Sequence, residues 1–333
     1  MYRAGVYAGA STVDTRGEYH QHIKSYHKGA QEQELLQRPY GLGPRVPMLV
    51  ISPWSRGGWV NSQVFDHTSI IRFMEKRFGV HEPNISAWRR AVCGDLTSAF
   101  DFAKSDSAPP PRLPDTLTLA KRAAALPQRV MPGIPGHPHL PTQNRGTRPS
   151  RALPYVLNVR CVVDPATGAI ALIYENAGAA AAVFHEYDRL HPTSIPKRYT
   201  VGAGRHFVEF PGSYQDDFDL WVLGPNGFHR HFTGKPHDPI EASAHYKHAQ
   251  KQLALQIRNA GKSTWTAQVG SHYANVRDQT CELPPGQTTV LTFDIEGSHC
   301  WYDLTLIVPQ IHGFRRRFAG RMETGEDSVS DPA

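Results

Sequence analysis

FDLWVLGPNGFHRHFTG (Phe218–Gly234) returns later in the chain as YDLTLIVPQIHGFRRRFAG (Tyr302–Gly320). Phe218-Asp-Leu-Trp-Val222 matches Tyr302-Asp-Leu-Thr-Leu306 at an offset of 84 (302 − 218). Phe228 to Gly234 matches Phe314 to Gly320 at an offset of 86 (314 − 228). Upstream, Tyr174-Glu-Asn-Ala-Gly178 matches Ile257-Arg-Asn-Ala-Gly261 at an offset of 83 (257 − 174). Three anchors in order with so little drift predict two copies of one module that differ only in their loops. Apolar residues at every second position mark Phe218–Val222 and Tyr302–Leu306 as half-buried strands. Asp219 and Asp303 are then equivalent, as are Phe232 and Phe318. The Asn-Ala-Gly segments read as turns, because Asn and Gly tolerate a left-handed backbone. In the closing strands, rings four residues apart share a face, and the charged residues between them are expected to be mostly exposed. Arg315, Arg316 and Arg317 alternate faces, so they form no single patch and read as a solvated edge strand.

Working outward, short runs such as Tyr155–Arg160 and Ile170–Tyr174 are separated by Pro165, Gly168, Gly178, Gly202 and Gly204, a spacing that predicts β-sandwiches. The expected division is a first sandwich over 151–236 and a second over 242–325. Before them, residues 106–150 are crowded with proline, which removes backbone donors and favours extended chain. This linker is interrupted by a short helix near Thr116–Ala125.

Ahead of the linker, Val46–Ile51 is a short apolar run bounded by Pro47 and Pro53, and it reads as a strand buried on both faces of an α/β sheet. A loop with Trp54, Gly57, Gly58 and Trp59 follows. Ile70, Ile71, Phe73, Met74 and Phe78 then repeat with helical spacing, and Asp66, Thr68 or Ser69 is placed to cap that helix. A strand-end loop meeting a helix N-terminus is where α/β folds build ligand sites.

SPWSRGGWVNSQVFDHTSIIRFMEKRFGV (Ser52–Val80) with EPNISAWRRAVCGDLTSAFDF (Glu82–Phe102) resembles the bacterial phosphocholine-preferring phospholipase C group. That group belongs to the phosphoesterase family, which includes bacterial acid phosphatases and has an alkaline-phosphatase-like core. The resemblance runs beyond position 300. It implies a chain made of an α/β fragment of that core, residues 1–105, followed by two tandem all-β sandwich domains. The implied activity is hydrolysis of phosphatidylcholine to diacylglycerol and phosphocholine, a phosphoric diester hydrolase reaction. The implied cofactor is a divalent metal ion, and the implied partner is phospholipid at a membrane surface. The group's ENRSFDHYFG-like metal motif, its nucleophile segment and its DENDGFFDHV-like motif do not occur here. The main metal ligands are therefore expected in an N-terminal half upstream of this chain, and the chain alone is expected to be inactive. By the same resemblance the intact enzyme is secreted or periplasmic, often with a twin-arginine signal; no signal peptide is visible in this chain.

Within this frame His67 and Asp66 are the candidate catalytic residues, since a late imidazole or carboxylate can complete a metal and phosphate site. The alternative for Asp66 is a helix cap, with His67 packed beside it. Trp54 and Trp59, with Tyr40 nearby, are candidate walls of an aromatic box for the choline ammonium. Arg56 is a candidate phosphate ligand through its planar fork. Glu18, His20, His22 and His27 fit no ligand spacing and read as a solvated loop.

The chain has 333 residues, enough for two or three domains, with 40% hydrophobic and 20% charged residues and a formal net charge of +6. That balance suits a globular protein and favours approach to anionic surfaces. No apolar run reaches the roughly 20 residues of a membrane span. The sequence has no nucleic-acid motif, P-loop or dinucleotide fingerprint. Cys93, Cys161, Cys281 and Cys300 form no CxxC pair, so a zinc ribbon is disfavoured. Cys281 and Cys300 could bridge or remain buried thiols. A second function class stays open, a non-catalytic pair of β-sandwiches that binds lipid or a partner. The 45–105 region favours the enzyme, because a binding protein has no need of an enzyme core's strand and helix.

Overall fold

The computed structural model describes residues 2–3, 9–19, 39–43, 46–104, 108–109, 112–127, 133–139, 142, 146–164, 167–214 and 216–332. Two short strands, β1 (Tyr2–Arg3) and β2 (Gly9–Ser11), precede helices α1 (His67–Phe78), α2 (Ala87–Val92) and α3 (Leu117–Ala124). Helix α3 is exposed along its length in the proline-rich stretch, within the span expected for it. Strand β3 (Pro149–Ser150) then leads into the first sandwich.

The first sandwich contains β4 (Leu157–Val163), β5 (Ala169–Asn176), β6 (Ala182–Asp188), β7 (Lys197–Val201), β8 (Arg205–Ser213), β9 (Phe218–Leu223) and β10 (His229–Gly234). The second contains β11 (Ile240–Lys247), β12 (Gln252–Asn259), β13 (Trp265–Ser271), β14 (Gln279–Leu283), β15 (Thr288–Asp294), β16 (Trp301–Ile307) and β17 (Arg315–Arg321). Strand β18 (Ser328–Val329) closes the chain by pairing with β3. In each copy three strands form one sheet, β4-β5-β8 or β11-β12-β15. The other four belong to a shared ten-stranded sheet ordered β1-β2-β7-β6-β9-β10-β17-β16-β13-β14. Burial alternates residue by residue along β5 and β9, as strands with one face on a core require.

The three sequence anchors occupy matching positions. Asn176 Nδ2 donates to the carbonyls of Ala180 and Val201 at 2.8 and 2.9 Å. Asn259 Nδ2 donates to those of Ser263 and Leu283, both at 2.8 Å. Each Asn side-chain oxygen accepts the N–H of the glycine two residues on. The reason expected for Asn-Ala-Gly was wrong, however, because neither residue adopts positive φ. The glycines are needed for space. A Cβ on Gly178 would lie 2.3 Å from the Pro154 carbonyl oxygen, and one on Gly261 would lie 2.8 Å from Pro239 Cβ. Gly178→Ala is expected to cost about 2 kcal/mol by overpacking against backbone, and Gly261→Ala less, because a proline ring yields more readily. Urea midpoints of the two variants check this order.

The copies join through β10 and β17, which pair antiparallel with His231 opposite Arg317, Arg230 opposite Phe318, and Phe232 opposite Arg316. Since residue 231 corresponds to 317 and 230 to 316, a local twofold axis passes through the His231–Arg317 pair. One continuous hydrophobic core spans both copies. The solvated edge strand expected at Arg315–Arg317 is therefore corrected: β17 lies inside the sheet between β10 and β16. The charges between the paired rings are not mostly exposed either. Arg230 is 0% exposed and Arg316 3%. Each guanidinium lies over the phenylalanine just before its own strand, Arg230 at 4.2 Å from the Phe228 ring and Arg316 at 4.3 Å from Phe314. Ring faces and carbonyls, rather than a carboxylate in hydrogen-bond contact, surround these cations, and Arg230 Nε has no hydrogen-bond partner among the described residues. Arg230 also donates to the carbonyls of His229 and Ala319 and to the hydroxyls of Tyr246 and Tyr302.

On the opposite face of β10 the equivalent pairs are Asp219 with His231, at 2.7 Å, and Asp303 with Arg317, at 2.7 and 2.6 Å. His229 stacks on His231, and Trp221 meets both edge-on. Burial, with the charges of Arg317 and the neighbouring His231, pushes the His229 imidazole down to about 4 from its ordinary 6.5, against a smaller upward pull from Asp303. A histidine held neutral in the fold binds its proton more readily unfolded, so stability declines as pH falls from about 6.5 to about 4. The urea midpoint should drop across that window in the parent and less steeply in His229→Gln.

Two further expectations change. Residues 46–51 form no strand: Val46, Met48, Leu49 and Ile51 are 67%, 51%, 86% and 93% exposed. A strand is held by its neighbours, and among the described residues none pairs with this run. All four cysteines are free, so Cys281 and Cys300 do not bridge. Burial pushes the Cys93 thiol up to about 12 and Cys161 to about 11, which leaves both unreactive.

Candidate functional site

Helix α1 starts where a capping box can form. Asp66 is extended, its carboxylate accepts the Thr68 N–H at 2.9 Å, and its own N–H donates to Ser69 Oγ at 3.0 Å. The same carboxylate takes Arg89 Nη1 at 2.5 Å. Burial alone would raise the Asp66 carboxyl, but bonds from Thr68 and Arg89 outweigh it and hold it below the usual carboxylate range. Arg89 spans further, to both oxygens of Glu18 at 3.1 Å and to the Gly41 carbonyl at 3.1 Å. Ser86, which caps α2, adds a bond from its Oγ to Glu18 at 2.6 Å.

Glu18 is thus no part of a solvated loop. It is 6% exposed and locked in an ion-paired network. His20, His22 and His27 lie outside the described residues. The network ties the N-terminal segment, the α1 cap and α2 together, and α2 docks the whole segment on the first sandwich. Trp88 Nε1 donates to Thr200 Oγ1 at 2.9 Å, and Val92 and Cys93 pack with Ala181. Strand β2 continues the sheet beside β7.

His67 is exposed on the first turn of α1. Asp66 is committed to the cap and to Arg89. Among the described residues no three His, Cys, Asp or Glu side chains are grouped to hold a metal ion. The residues present do not fit a complete metal site, and no catalytic step is routed through one here.

The loop from Pro53 to Trp59 does build a cleft. Trp54, Arg56 and Trp59 line a cavity of about 300 Å³ together with Asp101, Lys104 and Arg151. A second cavity of about 400 Å³, lined by Met48–Ile51 and Phe65, shares Arg56, Trp59 and Arg151. The loop is held by the Asp101 N–H on the Trp54 carbonyl at 2.8 Å and by Trp54 against Phe102. Gly57 and Gly58 turn it with φ of +114° and +69°, a conformation other residues rarely take. Arg56 donates to the carbonyls of Ala108 and Pro109 at 2.6 and 3.1 Å. Arg151 lies over the Trp59 ring at 4.0 Å, so that ring's face already holds a cation. Trp54 stays 41% exposed, and Tyr40, 46% exposed, is not among the lining residues of either cavity.

The structure thus brings Trp54, Arg56 and Trp59 together, and Asp66 and His67 line neither cavity. Sequence reasoning missed Arg89 and Arg151. Arg89 had a signal, since Ser86 three residues before it is a cap residue and position 89 lies in the resulting helix. Arg151 had none, because its role depends on contacts across 92 and 176 positions, to Trp59 and to Asp327.

The fold and site define a tandem β-sandwich protein with a phosphoesterase-like loop-and-helix segment docked on its first sandwich. The chain belongs to the bacterial phospholipase C, C-terminal domain family, which matches residues 149–235 and again 240–321, together more than half of the chain. The Phosphoesterase family matches residues 11–81. The chain is 43% identical to a non-hemolytic phospholipase C of Pseudomonas aeruginosa over all of its length and 48% of that relative's. It is 40% identical to a non-hemolytic phospholipase C of Burkholderia pseudomallei, with 97% of this chain and 46% of that protein aligned. A hemolytic phospholipase C of Pseudomonas aeruginosa is 37% identical, with 97% and 47% covered. The chain spans about half the length of these relatives.

Proposed function

We propose that this chain acts as part of a phospholipase C that hydrolyses phosphatidylcholine to diacylglycerol and phosphocholine. The observation that carries the reading is structural continuity. The segment matched to the Phosphoesterase family is bound to the first sandwich by β2 and, through the Arg89 network, by Trp88 on α2. Phosphoesterase segment and β modules then work as one body. In this reading residues 1–105 complete a catalytic domain with an alkaline-phosphatase-like core, residues 106–150 link it, and the two sandwiches brace it. The divalent metal and its main ligands belong to the remaining half of such an enzyme. The loop bearing Trp54, Arg56 and Trp59 faces the phospholipid headgroup, with Asp66 holding the helix start and His67 near the site. The enzyme works at a membrane surface after export to the periplasm or medium. Among the described residues no helix is long and apolar enough to cross a membrane.

The test is product identity. The chain fused behind the first half of the 43%-identical relative should release phosphocholine and diacylglycerol from phosphatidylcholine vesicles. Release of free choline with phosphatidic acid, or a folded fusion that leaves the lipid intact, would contradict the reading.

A further inference from the structure

We propose that the cleft beneath the Trp54–Trp59 loop is an anion site for a phosphate group, with Arg151 as its central residue. The inference rests on the headgroup reading for the natural source of the phosphate. It deepens that reading by assigning the phosphate, rather than the ammonium, to this cleft.

Among the described residues three cations line the cavity, Arg56, Lys104 and Arg151, against one carboxylate, Asp101. Arg151 differs from the others in being built in. It is 8% exposed, its guanidinium covers the Trp59 face, its Nη1 donates to Asp327 at 3.0 Å, and its buried Nε has no hydrogen-bond partner among the described residues. Burying a guanidinium costs free energy, and a phosphate in a cavity lined by Arg56, Lys104 and Arg151 would offset that cost through charge-assisted interactions. Trp59 cannot offer the face Arg151 occupies to a quaternary ammonium, which removes one wall of an aromatic box. Asp327 is 42% exposed at its side chain and sets how much of the Arg151 charge is free for a ligand. It comes from the chain's C-terminal segment, anchored by β18 on β3 and by Trp301 Nε1 on the Val329 carbonyl. The segment that follows the second sandwich therefore contacts the arginine at the centre of the cleft.

The experiment is calorimetric titration of the full chain with inorganic phosphate, phosphocholine, choline chloride and a short-chain phosphatidylcholine at fixed ionic strength. Inorganic phosphate and phosphocholine should bind and choline should not. Binding of the short-chain lipid as well would identify a headgroup phosphate as the source, and its failure would identify free phosphate or the released monoester. Arg151→Gln should weaken phosphate about tenfold, the worth of one charge-assisted hydrogen-bonding group. Asp327→Asn should tighten it, which a structural role for the ion pair would not produce. Exposed Lys104→Gln, which leaves the fold untouched, should weaken phosphate to a smaller extent and keeps the test open if Arg151→Gln unfolds. No phosphate binding by the parent, binding of choline alone, or equal affinities in Lys104→Gln and Asp327→Asn would overturn the assignment. Loss of lipid hydrolysis in the fused enzyme with phosphate binding intact would count against the headgroup reading and leave the anion site standing.

Discussion

Arg230→Ala should destabilise the β module pair by about 3 to 5 kcal/mol, a large part of a typical domain's stability. The side chain is wholly buried at the joint between the two copies. Truncation opens a cavity among Phe228, Phe318 and Tyr302, whose rings surround the guanidinium, and removes the donors to the carbonyls of His229 and Ala319. Arg230→Met separates these effects. It fills most of the volume, and Tyr246 and Tyr302 still bond to each other at 2.6 Å, with Tyr246 on the Leu157 carbonyl. The methionine variant should therefore lose less than half as much. Arg316→Ala, related by the local twofold, should resemble Arg230→Ala. Chemical denaturation measures all three. Losses below about 1 kcal/mol in both alanine variants would mean that the buried cations do not hold the joint.

The joint also marks where sequence reasoning reached and where it stopped. The repeat was legible because identical turn and strand residues recur at near-constant spacing. It did not say how the copies meet. A segment with three basic residues between two phenylalanines reads equally as an exposed edge or as a paired centre, and only the partner strand decides. The same holds for Val46–Ile51, whose composition suits a buried strand but whose exposure reflects the absence of a paired neighbour among the described residues. The cap at Asp66 was legible from Asp-His-Thr-Ser, since an N-cap and its box are local in sequence. Its capture by Arg89, and the role of Glu18, were not, because both depend on contacts between distant segments. Trp54, Arg56 and Trp59 were found as residue types. The Arg151 guanidinium over the Trp59 ring was not legible, because the two residues meet only in the fold.

The second large effect concerns activity. The chain alone should show no turnover of a chromogenic phosphocholine ester. Phosphoryl transfer needs a positive centre on the transferring group and a positioned nucleophile. Asp66 spends its charge on Arg89 and the helix cap, and among the described residues no three His, Cys, Asp or Glu side chains are grouped to hold a metal ion. The most direct measurement is hydrolysis of that ester by two purified proteins, this chain alone and the same chain fused behind the first half of the Pseudomonas aeruginosa relative, each with and without a divalent-metal chelator. The account predicts chelator-sensitive turnover in the ordinary enzyme range of roughly 1 to 1,000 per second from the fusion, and background from the chain alone. Chelator-sensitive turnover by the chain alone, or a folded, metal-loaded fusion without activity, would contradict it.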